Sequence, residues 1–119
     1  QELVDKGLAA FREEVQLPGS VLIQAHPFRN GCIPMEGKLL DGMEVFNMHP
    51  NHNSRVALAA QQYGGKGLSL LMGTDYHHPG HHDLCATRMQ TLPKDSFALA
   101  AVLKSGDYIL QLGDSLILP

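Results

Sequence analysis

The stretch MGTDYHHPGHH, residues 72 to 82, sets one carboxylate and four imidazoles directly behind an apolar run. Asp75 and His77 are two residues apart. On an extended segment residues i and i+2 point the same way, so both side chains can aim at one point with Tyr76 turned aside. A carboxylate oxygen and an imidazole nitrogen converging at a strand end suit Zn, Mn or Fe. The same pair serves equally well as a hydrogen-bonded loop cap, and an isolated Asp-x-His does not separate the two readings. His26 closes another apolar run and could converge on the same place, although a His before Pro27 is also a common satisfied polar group. His78, His81 and His82 flank a Pro-Gly turn and read as a solvated loop that captures metal only adventitiously. His49 and His52, in HPNHN, read the same way, with a place at a pocket mouth facing an anionic substrate as their functional alternative.

These residues need elements to hold them. Residues 2–16 carry apolar Leu3, Val4, Leu8, Phe11 and Val15 on a helical stripe that Pro18-Gly19 ends. SVLIQAHP reads as a buried strand of the parallel kind, LLDGMEVFN as a second and GLSLLMGTD as a third. Between the last two, Asn53 or Ser54 is placed to cap a helix through RVALAAQQY, which Gly64-Gly65 stop. Asp95 caps a further helix through SFALAAVLK, ended by Gly106, and YILQLGDSLIL reads as a hairpin turning at Gly113-Asp114. Strands alternating with helices predict an α/β arrangement around a parallel sheet. His26, Asn47, Asp75 and His77 then fall at the C-terminal strand ends, the edge where such folds gather their sites.

Bulk properties narrow the function classes. A chain of 119 residues with 44% hydrophobic and 18% charged residues is that of one globular domain, or part of one. Nine Lys and Arg against twelve Asp and Glu give a net charge of -3. With no basic stripe beside it, that balance disfavours nucleic acid as a partner. The apolar stretches are too short to span a bilayer, so no membrane partner is expected, and the first residues do not read as a signal peptide. Cys32 and Cys85 stand outside any C-x-x-C spacing and read as reduced thiols, with the cytoplasm as the expected compartment.

AHPFR at 25–29, GMEVFN at 42–47 and GTDYH at 73–77, in that order, resemble the later motifs of the PHP superfamily, the polymerase and histidinol phosphatase domains. The likeness covers about residues 20–80. It implies the C-terminal part of a distorted (β/α)7 barrel, with parallel strands alternating with helices plus a C-terminal hairpin. It implies a centre of up to three divalent ions (Zn, Mn or Fe) with His26, Asp75 and His77 among the ligands. Arg29 falls where a cation would face phosphate, its alternative being a salt bridge. Glu44 and Asn47 match the pattern without matching a ligand. Thr74 replaces the usual Ser and keeps a hydroxyl. The family's opening His-x-His and the Glu and His ligands after it have no counterpart before residue 20. A barrel of ~250 residues is about twice this length. The resemblance therefore implies that residues 1–119 are a partial domain, expected to pair with the missing N-terminal half or with another copy.

The implied activity is hydrolysis of phosphate esters on a phosphorylated small molecule, with metal-activated water rather than a Ser or Cys nucleophile. Two alternatives stay open: an inert fragment or assembly module with an incomplete metal site, and a metal-dependent hydrolase of a C–N or ester bond.

Overall fold

The computed structural model describes residues 2–15, 17–80 and 85–119. His81 and His82, read above as part of a solvated loop, lie outside the described residues. Short helices α1 (Glu2–Asp5) and α2 (Leu8–Val15) open the chain. Gly7, at φ +86°, breaks what the apolar stripe predicts as one helix. Arg12 of α2 then pins this segment to the domain with a bidentate pair to Asp41, at 2.6 and 3.0 Å.

Strands β1 (Ile23–Gln24), β2 (Gly42–Asn47) and β3 (Ser69–Gly73) form one parallel sheet in that order. β1 is much shorter than SVLIQAHP predicts. The amide of Leu22 donates to the Asp41 carboxylate instead of to a ladder, and His26 turns left-handed at φ +28°. The chain reaches β2 through a 3-10 turn at Gly37–Leu39 rather than a crossover helix. Helix α3 (Val56–Tyr63) connects β2 to β3. Between Glu44 and Phe46 the β2–β3 register slips by one residue, a bulge that locally re-aims the strand.

The second sheet is antiparallel, β4 (Cys85–Met89), β5 (Tyr108–Leu112) and β6 (Ser115–Ile117), with α4 (Ser96–Ser105) between β4 and β5. Asp95 caps α4 by accepting from the Ala98 amide at 2.7 Å, and Gly106 closes it at φ +73°. Residues 85–89, given no element above, supply the edge strand of this sheet.

The expectation of part of a (β/α)7 barrel is corrected here. A barrel needs a parallel ladder that continues around a closed ring with a consistent stagger. In this chain the parallel ladder has three strands, and beyond β3 the pairing reverses direction into a separate sheet. No barrel closes.

Two apolar clusters hold the layers together. Leu40, Met43, Val45, Ala59 and Tyr63 pack α3 against one face of the parallel sheet. Met72, Leu103, Tyr108 and Leu110 join β3 to α4 and β5. Two polar ties cross the second cluster: Ser69 Oγ donates to the Leu103 carbonyl at 2.6 Å, and the Tyr108 hydroxyl donates to the Leu70 carbonyl at 2.8 Å. Among the described residues no helix is long and apolar enough to cross a membrane.

Candidate metal centre

Asn47 and Gly73 are paired partners at the ends of β2 and β3, and the Met48 amide donates to the Gly73 carbonyl at 2.8 Å. Two residues beyond each partner come His49 and Asp75. Equivalent steps past adjacent parallel strands bring both to the same sheet edge. Asp75 sits left-handed at φ +52°, a conformation Asp tolerates better than most residues. His77 Nε2 then lies 3.1 Å from Asp75 Oδ1, while Tyr76 is exposed. The expected convergence of Asp75 and His77 is present, but a left-handed turn makes it, because β3 has already ended at Gly73.

His49, Asp75 and His77 each present a ligand-type atom, and these atoms lie within 4.8 Å of one another. A divalent ion could be held there. His49 is buried, its ring centroid 4.5 Å from that of His52 and 5.7 Å from that of His77. His77 is the solvent-facing member, with 61% of its side chain exposed. The sequence alone reads His49 as part of a solvated loop, with a pocket mouth as its alternative, and offers His26 as the third ligand. The signal that could have found it is its position two residues past a strand end, matching that of Asp75.

His26 stands beside this trio rather than in it. Its Nδ1 is 3.4 Å from Cys32 Sγ, and its amide donates to Glu44 Oε2 at 2.8 Å. Glu44 also accepts from Asn47 Nδ2 at 3.0 Å, so this carboxylate ties the loop after β1 to the end of β2.

Arg29 fills the space between them, with only 14% of its side chain exposed. Nη1 forms an ion pair with Asp75 Oδ2, and Nη2 donates to Asn47 Oδ1 at 2.6 Å and more weakly to Ser54 Oγ at 3.4 Å. The Asp75 contact is one of charge rather than an aligned hydrogen bond: Asp75 Oδ2 and Arg29 Nε are both buried without a hydrogen-bond partner. Burial pushes the Asp75 carboxyl up, but the Arg29 guanidinium, then His77 and His26, outweigh it and hold the group below the usual carboxylate range. Ser54 donates to Asn47 Oδ1 at 3.1 Å, so it does not cap α3; Arg55, at φ +47°, takes the N-cap position without a side-chain cap. Cys32 and Cys85 are free thiols, and burial, with the Glu44 charge adding, pushes Cys85 up, away from nucleophile chemistry.

Two imidazoles and one carboxylate are a donor set that Zn, Mn and Fe accept. Two features oppose easy capture. Arg29 stands over Oδ2, which leaves Oδ1 as the oxygen facing His77. His49 Nδ1 accepts from the Asn51 amide at 3.1 Å. The neutral ring then carries its proton on Nε2, so ligation through Nε2 requires a tautomer switch and loss of that bond. Compared with protein-family models, with curated proteins and with solved structures, the chain finds no match.

Proposed function

We propose that this chain forms part of a metal-dependent phosphoesterase, with His49, Asp75 and His77 holding a divalent ion (Zn, Mn or Fe) and a phosphorylated small molecule as substrate. The observation that carries the reading is the convergence of two imidazoles and a carboxylate within 4.8 Å, beside a half-buried guanidinium. The ordered likeness of AHPFR, GMEVFN and GTDYH to PHP motifs supports the choice of phosphate ester over amide. When bound, the ion supplies Lewis acidity toward a phosphoryl oxygen and activation of water. The protein's own part is orientation and charge. Asp75 and Asn47 fix the two Nη atoms of Arg29, so its part is to hold Asp75 in place and to add positive charge beside the trio. His77, on the solvent side, controls entry to the trio. A centre of up to three ions would need ligands beyond these three, with His26 one further candidate.

A second reading has its own observation. Asp75 already has Arg29 on one oxygen and His77 on the other, and His49 Nδ1 already has a donor. On that reading the cluster is a polar lock without metal, and the chain is an inert or assembly module. Metal content per chain after dialysis against a mild chelator separates the two. One ion retained by the native chain and lost in His77→Ala supports the centre; hydrolysis of an aryl phosphate but not of an amide then supports the class. No retained ion, or equal retention in both proteins, favours the lock.

A further inference from the structure

We infer that the opposite end of the parallel sheet carries a second, metal-independent site for a small organic anion with an apolar body, bound between the 34–38 loop and the Gly64–Gly67 turn. A cavity of about 620 Å³ opens there, within the range of small-molecule sites of roughly 300–1,000 Å³. Leu40 and Leu68 lie just before β2 and β3, whereas the His49–Asp75–His77 trio lies just after them. A five- or six-residue strand separates the two sites by roughly 15–20 Å.

The walls are held in place. Gln24 of β1 clamps the loop from one side, donating to the Ile33 carbonyl and accepting from the Met35 amide, both at 2.8 Å. Tyr63 at the end of α3 holds it from the other, its hydroxyl donating to the Met35 carbonyl at 3.2 Å. Gly37 packs so closely on Leu68 that a Cβ would sit 3.0 Å from its Cδ1. Met35, Leu40, Tyr63 and Leu68 give the lining apolar surface beside polar Glu36 and Gln62. Two cations line the same cavity. Lys38 is paired with Glu36 at 2.7 Å, both side chains being exposed. Lys66 has no such pair among the described residues and sits between Gly65 and Gly67, at φ +68° and +76°, in a turn that presents it to the cavity. One ammonium beside a mixed lining with apolar side chains selects a carboxylate or phosphate attached to a hydrocarbon body, because an uncharged ligand forgoes the charge-assisted bond and a bare anion forgoes the apolar contacts.

Amide NMR titration of the full chain with octanoate, octanol and inorganic phosphate tests this without reference to metal or hydrolysis. Octanoate is expected to give saturable shifts at residues 35–38 and 65–68, with octanol and phosphate each binding more weakly. Lys66→Gln should weaken octanoate about tenfold, the share of one charge-assisted hydrogen bond, while the spectrum elsewhere stays native. The proposal fails if octanoate gives no saturable shifts there, if Lys66→Gln binds octanoate as tightly as the native chain, or if octanol or phosphate matches octanoate.

Discussion

A Cβ built on Gly73 would fall on the Glu44 carboxylate, at Oε1. The glycine of GTDYH is therefore the space into which the glutamate of GMEVFN fits. That carboxylate in turn receives the His26 amide and Asn47 Nδ2, so three segments distant in sequence meet at one side chain.

Gly73→Ala should expel the carboxylate and release both of its donors. Losing hydrogen bonds to a charged acceptor costs about 1.5–3 kcal/mol each, so destabilisation of up to about that size is expected in urea unfolding. In the double variant Gly73→Ala/Glu44→Ala the clash is gone, and its cost should be clearly less than the sum of the single costs. Additive costs would mean that the close approach is not what requires glycine.

Arg29 is expected to be a structural necessity whatever its role toward substrate. Arg29→Met leaves the Asp75 carboxylate, 16% exposed, without its cation; breaking a fully buried pair costs about 3–5 kcal/mol, and a loss below that range is expected for this half-buried one. Arg29→Lys should recover little of the loss, since one ammonium cannot span Asp75, Asn47 and Ser54 as the planar fork does. A lysine variant as stable as the native chain in denaturant unfolding would refute the fork geometry.

Local signals in the sequence were legible where they rest on neighbours in the chain. The Asp95 cap and Gly106 stop of α4, the hairpin of β5 and β6, and the meeting of Asp75 with His77 all follow from spacings of a few residues. What was not legible depends on pairing across the chain. The barrel expectation rested on a resemblance between motifs, and nothing in residues 20–80 encodes whether the ladder continues beyond β3. β1 shrank because Asp41, far along the chain, captures the Leu22 amide. His49 joined Asp75 through the Asn47–Gly73 register, a long-range fact that HPNHN by itself does not contain.

Acid should loosen the N-terminal segment first. Hydrogen bonding to Arg12 outweighs burial and, with the Leu22 amide, holds the Asp41 carboxyl below its ordinary range. A group depressed on folding contributes stability that is present above its unfolded pKa and is lost as pH falls through the folded one. Stability should therefore decline as pH drops below about 5, the upper end of an ordinary carboxyl titration. Asp41→Asn should be less stable at neutral pH and show a shallower decline. Some slope should persist from Asp75, which is depressed in the same sense. Parallel pH profiles for native and variant chains would show that Asp41 is not responsible.

The identity of the third ligand distinguishes the geometry from the motif pattern. The motif pattern assigns His26, whereas the folded chain brings His49 within 4.8 Å of Asp75 and His77 and turns His26 toward Cys32. Zinc affinity measured by competition with a chromophoric chelator should fall in His49→Ala by more than the roughly 10–100-fold that loss of an outer partner costs. His26→Ala should fall within or below that range, because its amide bond to Glu44 survives the truncation. The reverse order would return His26 to the centre and leave His49 as a wall residue. Equal, small effects would mean that Asp75 and His77 bind the ion without a third ligand from this chain, and that the buried His49 serves the loop through its bond to Asn51.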